Sequence, residues 1–329
     1  MIRPGPKNLI TDVPGIKVGN AEQPGHPTGV TVVLPDRPAV AAADVRGGGP
    51  GTRETDALHP AALVERVDAV VLSGGSAFGL DAASGVSSWL AARGRGFAVG
   101  EAHVPIVPAA ILFDLPNAGH KDWGHMPPYR GLATAACDAA DRDFALGNAG
   151  AGAGATAGAL KGGLGSASAV DGDGIMVGAL AAANPAGSVV MQGQSAFWAW
   201  ALEQEDELGG QAPPTGPVSL APDLPAELLP GTNTTLIVVA VGERLTRAQA
   251  QRVAIMAQDG IARAVRPAHT PYDGDTVFVL STGEGHPPGP AQVARIGAIA
   301  ADCTARAIAR GVYEAESAGG SKSYRETYR

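Results

Sequence analysis

Hydrophobic and polar positions along the chain fall into two periods. Short apolar runs closed by glycine or proline dominate the first half. Residues 29–35, GVTVVLP, read as a strand bounded by Gly29 and Pro35, and AVAAADV reads as a second strand entering a glycine turn, RGGGPG. VDAVVLSGGSAFGLDAASGVSSWLAARG reads as strand, glycine loop and helix, with Asp81 placed to cap the helix and Gly94 to end it. GFAVG and VPIVPAAILFDL are further extended runs, and residues 131–141 read as helix. The stretch 147–170, GNAGAGAGATAGALKGGLGSASAV, is too rich in glycine for an ordinary helix, although alanine and glycine admit very close packing. IMVGALAAANPAGSVVM predicts a buried strand broken at Asn184-Pro185.

The second half is clearer. Residues 203–231 are acidic and proline-rich without a period, which predicts an exposed linker. Residues 234–242 predict a strand. Residues 245–265 carry helical apolar spacing at Val253, Ile255-Met256 and Ile261, with Thr246 as the cap. DTVFVLSTG predicts a strand, and a long helix follows, with Pro290 at its start. The closing ESAGGSKSYRETYR is polar and reads as frayed. No internal repeat is visible. Strands and helices mixed throughout predict α/β or α+β layers.

Composition narrows the function classes. The chain has 329 residues, 45% of them hydrophobic, enough for a sizeable core. Its 46 glycines and 26 prolines therefore indicate tight turns and close backbone approaches rather than disorder. The net charge is −8 with no basic stripe, which argues against nucleic acid as a partner. No apolar run reaches the roughly 18 residues of a membrane span. The start, MIRPGPKNLITDVPG, has no apolar core of secretory type, so a cytoplasmic protein is expected. Cys137 and Cys303 lie far apart without metal-type neighbours and are expected to be buried free thiols.

Four familiar patterns nearly match. LSGGSAFG resembles a nucleophile elbow at Ser76, but the position that needs glycine is Phe78. GAGATAG, 152–158, resembles a dinucleotide loop with one residue too many before its last glycine and Asp171 downstream; a dinucleotide-binding protein using the 147–165 glycine loop is the rival from another class. DGDG, 171–174, starts like a calcium loop, but its twelfth position is Ala182 rather than glutamate. The histidines are scattered without an H-x-x-x-H pair, so neither a zinc site nor another metal or cofactor is expected.

A fifth stretch, PGTNTTLIVVA, opens a buried strand on two threonines directly after Asn233. If the Asn233–Thr234 bond is cut, Thr234 becomes an N-terminus carrying both a hydroxyl and an α-amine. An unperturbed α-amine has a pKa of about 7.7–8.0. It serves as general base for the hydroxyl of its own residue, so no histidine is required. On pattern alone, a polar loop entering a strand is the commoner meaning.

The ordered blocks TGVTVVLP, DVRGGGPGTRETD, VVLSGGSAFGLDAASGV, VPIVPAAILFDL, GNAGAGAGATAG, LKGGLGSAS, NTTLIVVA and HTPYDGDTVFVLSTG together resemble the self-processing L-aminopeptidase/D-esterase family, nearest its branch of 6-aminohexanoate (nylon) oligomer hydrolases. The resemblance runs from NLITDVPGIKVGNAE to about residue 313. It implies a four-layer αββα sandwich of the N-terminal-nucleophile-like type. It also implies a single domain, 1–329, that cuts itself between Asn233 and Thr234 into a large chain, 1–233, and a small chain, 234–329, which stay together.

The implied activity is that of an amidohydrolase or aminopeptidase acting on short peptides or amides, or alternatively an endo-type hydrolase of 6-aminohexanoate oligomers. The implied assembly is a homo-oligomer, tetrameric or larger. By resemblance Thr234 is the nucleophile, and Asp273 and Asp275 are carboxylates that hydrogen-bond its hydroxyl and hold its amine. Lys161 is then a cation that keeps the amine neutral and stabilises developing charge, and Asn184 is an oxyanion donor. Other branches carry a serine where Asp273 stands. The family's tyrosine motif aligns near Ala110–Leu112, where this chain has no tyrosine, which leaves the second oxyanion donor open.

Overall fold

A computed structural model describes residues 2–219, 221–224 and 233–329. In chain order the strands are Ile16–Glu22 (β1), Gly29–Pro35 (β2), Ala39–Val45 (β3), Thr52–Arg53 (β4), Arg66–Val67 (β5), Val70–Ser73 (β6), Phe97–Val99 (β7), Ala102–Val104 (β8), Ala109–Ile111 (β9), Thr156–Ala157 (β10), Leu160–Lys161 (β11), Gly163–Val170 (β12), Met176–Asn184 (β13), Thr234–Val241 (β14) and Thr276–Ser281 (β15). The helices are Ala82–Ala91 (α1), Tyr129–Asp138 (α2), Arg247–Ala264 (α3), Pro290–Glu314 (α4) and Tyr324–Tyr328 (α5).

Two sheets stack face to face. One runs in the order β12-β13-β14-β15-β3-β5, and the other β1-β2-β6-β9-β4. Helices α3 and α4 pack together and cover the outer face of the first sheet, while α1 and α2 cover the second, so the layers are α, β, β, α. Strand β14 shows why its sequence is apolar at every position from 236 to 241. Leu236, Val238 and Ala240 point into the space between the sheets; Ile237, Val239 and Val241 point towards α3 and α4. A strand buried on both faces has no polar side to alternate with. The same period of two sends the Thr234 side chain to the inter-sheet face.

The alanine- and glycine-rich stretch 147–170, whose end is β12, does pack closely. A methyl group at Gly165 would lie 2.0 Å from the Ala307 carbonyl oxygen of α4, so the helix backbone rests directly on the strand.

Four expectations need correction. Asp81 stands at the N-terminal boundary of α1 but caps nothing, because a 3-10 turn, Ser76–Asp81, leads into the helix and Asp81 pairs instead with Arg130 at 3.2 Å. The second helix lies over 129–138 rather than 131–141. The segment from 203 is not a loose linker at its start. The Glu203 carboxylate accepts from the Leu208 N–H at 2.8 Å and the Gly210 N–H at 2.9 Å, and Glu207 forms a buried ion pair with Arg306 at 2.6 Å. Most of its end, with Gly231 and Thr232, lies outside the described residues. The C-terminus is docked rather than frayed: Ser323 caps α5, and Tyr324 is buried and stacks on Phe197 at 4.4 Å. Aromatic burial outweighs the polarity of its neighbours. Both cysteines are buried and free.

Candidate active site

Thr234 opens β14, directly opposite Asn184, the last residue of β13, in an antiparallel register. Lys161 ends β11, one residue before β12, which pairs with β13 from Gly163↔Ala183 onwards. Asp273 and Asp275 lead into β15, the parallel neighbour of β14 on its other side. Four neighbouring segments therefore bring all five predicted side chains to one end of the first sheet. All are buried: Asn184 is 0% exposed, Asp273 and Asp275 1%, Lys161 and Thr234 2%.

The scissile position has defined geometry. The Thr234 hydroxyl donates to the carbonyl oxygen of Asn233. The backbone N–H of Gly274 donates to that same oxygen at 2.9 Å. Glycine is required there, since a methyl group at 274 would stand 2.7 Å from Thr234 Oγ1. The glycine turn RGGGPG closes over this corner. The Gly49 N–H reaches the Asp273 carbonyl at 2.8 Å, and a methyl group at Gly47 would lie 2.3 Å from the Asp275 nitrogen.

The two carboxylates do not hydrogen-bond the Thr234 hydroxyl as expected. In the unbroken chain that hydroxyl is turned to the Asn233 carbonyl, and backbone amides take up most of the carboxylate oxygens. Asp273 accepts from the Ala186 N–H at 3.0 Å, the Thr270 N–H at 2.9 Å and the Thr270 hydroxyl at 2.6 Å. Asp275 accepts from the Thr235 N–H at 2.7 Å and the His269 N–H at 3.1 Å, and meets His269 Nδ1 at 2.8 Å. Burial, and then the neighbouring Asp275 charge, push the Asp273 carboxyl above the usual carboxylate range.

Lys161 donates to the carbonyls of Gly152 at 3.0 Å and Gly162 at 2.8 Å. Burial lowers its ammonium to about 7, against the opposing pull of Asp114. Lysine shifts readily when buried, because its compact charge is strongly hydrated in water. Asn184 is clamped by the Thr156 N–H, which donates to its Oδ1 at 2.8 Å, and its Nδ2 reaches the Phe113 carbonyl at 3.5 Å. Phe113 follows β9, so the site bridges both sheets.

The rival patterns take other roles. Ser76 sits at φ +53°, and no histidine bonds its hydroxyl among the described residues. The 152–158 glycines face the protein's own backbone: methyl groups at Gly152 and Gly154 would lie 2.1 Å from the Leu164 nitrogen and 2.2 Å from the Pro27 carbonyl oxygen, leaving no room for a pyrophosphate. Asp171 pairs with Arg295 at 3.0 Å, and no cluster suited to a metal occurs among the described residues. No helix is long and apolar enough to cross a membrane among those residues. Sequence reading missed His269, Thr270, Thr156, Asp114 and the Gly274 amide. His269, Thr270 and Gly274 lay inside the block HTPYDGDTVFVLSTG, but only the carboxylates looked like chemistry.

Comparison with known proteins agrees with this architecture. The model of peptidase family S58 matches residues 8–325. An uncharacterised aminopeptidase of Mycobacterium bovis is 46% identical, the match covering 98% of each chain. A 6-aminohexanoate-oligomer endohydrolase of Kocuria sp. strain KY2 is 29% identical over 85% of this chain and 76% of that one. Among solved structures, a Burkholderia sp. β-aminopeptidase superposes with a TM-score of 0.70 at 22% identity, covering 98% of this chain and 92% of its own. An L-aminopeptidase D-Ala-esterase/amidase of Ochrobactrum anthropi, described as a variant of the Ntn-hydrolase fold, does so with a TM-score of 0.72 at 20% identity, covering 97% and 89%. The chain belongs to peptidase family S58 and is a hydrolase of peptide or amide bonds.

Proposed function

We propose that the protein cuts itself between Asn233 and Thr234 and then works as an N-terminal-threonine amidohydrolase. The observation that carries this is the convergence on one carbonyl: the Thr234 hydroxyl and the Gly274 N–H both meet the Asn233 oxygen. The hydroxyl oxygen attacks the Asn233 carbonyl carbon, and the Gly274 amide stabilises the oxyanion. The C–N bond breaks, the hydroxyl proton ends on the departing nitrogen, and an ester joins Asn233 to Thr234 Oγ1. Water hydrolyses the ester. A carboxylate remains on Asn233, and a free amine and hydroxyl remain on Thr234.

In the mature site a substrate carbonyl takes the place the Asn233 carbonyl held. Thr234 attacks it, and the α-amine of Thr234 takes the hydroxyl proton and passes it to the leaving group. Asn184 and the Gly274 N–H serve as the oxyanion donors, so no tyrosine is needed. Lys161, held by the Gly152 and Gly162 carbonyls, supplies positive charge in its ammonium form. Asp273 and Asp275 hold the backbone amides around the nucleophile and offer negative charge to its ammonium form. Short peptides or amides with a free amino end are the substrates. The endo-hydrolysis of 6-aminohexanoate oligomers is the second reading, favoured by the similarity to the Kocuria enzyme.

Exposed apolar side chains at Leu63, Phe97, Val99 and Val104 support assembly into a homo-oligomer. The buried free thiols suit a reducing, cytoplasmic setting. The test is intact-mass analysis joined to a panel of aminoacyl anilides, β-peptides and ω-amino acid oligomers. Fragments 1–233 and 234–329 and turnover of one class are expected. A single unbroken chain that hydrolyses these amides overturns the reading.

A further inference from the structure

Asp275 is held from two sides. One carboxylate oxygen takes the N–H of Thr235, the residue after the nucleophile, at 2.7 Å. The other takes both the backbone N–H and the imidazole Nδ1 of His269, at 3.1 and 2.8 Å. Among the described residues no lysine or arginine pairs with Asp275 or Asp273, and His269 is the one ionisable donor on the pair. Its backbone is also unusual. His269 sits at φ +55°, in the left-handed region that side chains other than asparagine, aspartate and histidine seldom adopt. Left-handed geometry lets the ring fold back onto the same carboxylate oxygen that its own N–H meets. A strained residue held by a buried carboxylate one step from a nucleophile is an arrangement that packing alone does not call for.

We propose that His269 is a positioning residue for Thr234: by donating Nδ1–H to Asp275 it holds that carboxylate on the Thr235 N–H and so fixes the first residue of β14 against the Asn233 carbonyl. The inference rests on the self-cleavage reading above. His269 touches no reacting atom and acts through Asp275. With the ring absent, one oxygen of Asp275 keeps only a backbone partner, the carboxylate turns, and the Thr235 amide shifts with it. A displacement of about 1 Å at a reacting group costs on the order of a hundredfold in rate. The ring is partly open to solvent, with its side chain 23% exposed, while the Asp275 side chain is 1% exposed.

Two nearly isosteric substitutions separate the ring's donor from the backbone's strain, because asparagine and aspartate both tolerate the left-handed region. His269→Asn keeps an N–H donor at the reach of Nδ1. His269→Asp replaces it with an acceptor that faces Asp275. The readout is the rate at which fragment 234–329 appears from newly synthesised chain in a cell-free system, with the melting temperature of each precursor measured in a Thr234→Ala background. His269→Asn is expected to process within about fivefold of the unsubstituted chain, and His269→Asp about a hundredfold more slowly. Equal rates for the two variants, fast or slow, overturn the proposal. If the unsubstituted chain never yields the fragment, the self-cleavage reading fails first, and the two failures are told apart by that control.

Discussion

The backbone N–H of Gly274 donates to the carbonyl oxygen of Asn233 at 2.9 Å, on the same oxygen that the Thr234 hydroxyl approaches. A nucleophile and an oxyanion donor thus meet at one peptide bond, on the inter-sheet side of a strand whose next six residues are wholly buried. Gly274→Ala introduces a methyl group 2.7 Å from Thr234 Oγ1 and 3.0 Å from the Gly49 oxygen. Processing is expected to slow about a hundredfold, the scale of moving a reacting group by about 1 Å. A time course on denaturing gels checks it.

Thr234→Ala removes the hydroxyl and is expected to abolish both processing and amide hydrolysis. Thr234→Ser keeps the hydroxyl and is expected to process. Asn184→Ala is expected to lower kcat by about a hundredfold or more in processed enzyme. Intact mass and steady-state kinetics on the same preparations read both effects.

Lys161 yields a stability prediction with a definite sign. Its folded-state pKa of about 7 lies below that of an unfolded lysine, roughly 10.4. Between those values the unfolded chain binds more protons, so this lysine's contribution to stability rises with pH. Below about pH 7 its burial costs the most, on the order of a few kcal/mol. Lys161→Met is therefore expected to raise the melting temperature at pH 6, to lose that advantage towards pH 10, and to impair catalysis. A melting-temperature difference independent of pH sinks the assignment.

The processed fragments are expected to remain together. Strand β14 lies between β13 and β15, and all eight of its residues are buried. Its leucine, isoleucine and valines alone contribute about 10 kcal/mol as an upper estimate. Gel filtration in native buffer should return one species holding 1–233 and 234–329, separable only in denaturant.

Arg306→Ala leaves Glu207 charged and buried, and also strips Ser168 O and Asn8 Oδ1 of donors at 3.0 and 2.9 Å. A loss of about 3–5 kcal/mol is expected from calorimetry. Exchanging Arg263, whose side chain is half exposed in its pair with Asp302, is expected to cost about 1 kcal/mol or less.

The strands and helices legible in the sequence were those with a strong period or a firm boundary. Strand β14 was visible because apolar side chains fill both of its faces, and α3 because Thr246 stands as a cap ahead of helical spacing at Val253, Ile255-Met256 and Ile261; in the structure Thr246 closes a capping box with Gln249. Residues 203–211, within the stretch read as a linker, and 316–329 were misread. Their partners, Arg306 for Glu207 and Phe197 for Tyr324, stand about a hundred residues away or more, and no local pattern announces them.

The same division runs through the site. Local sequence made Thr234 a candidate, as a hydroxyl after a polar turn at the mouth of a buried strand, and the resemblance of its block NTTLIVVA to a known family singled it out. It also singled out Asp273, Asp275, Lys161 and Asn184, as members of recognisable blocks. What those groups bond to was decided by tertiary structure alone. Strand register set Asn184 opposite Thr234. The turn from His269 to Asp275, set beside Ala186 and the start of β14, left the two carboxylates on backbone amides instead of the hydroxyl. Burial beneath two sheets lowered the Lys161 ammonium. Sequence fixes which atoms a residue carries, whereas the distance between two of them, and the water left around them, exist only once strands far apart in the chain have paired.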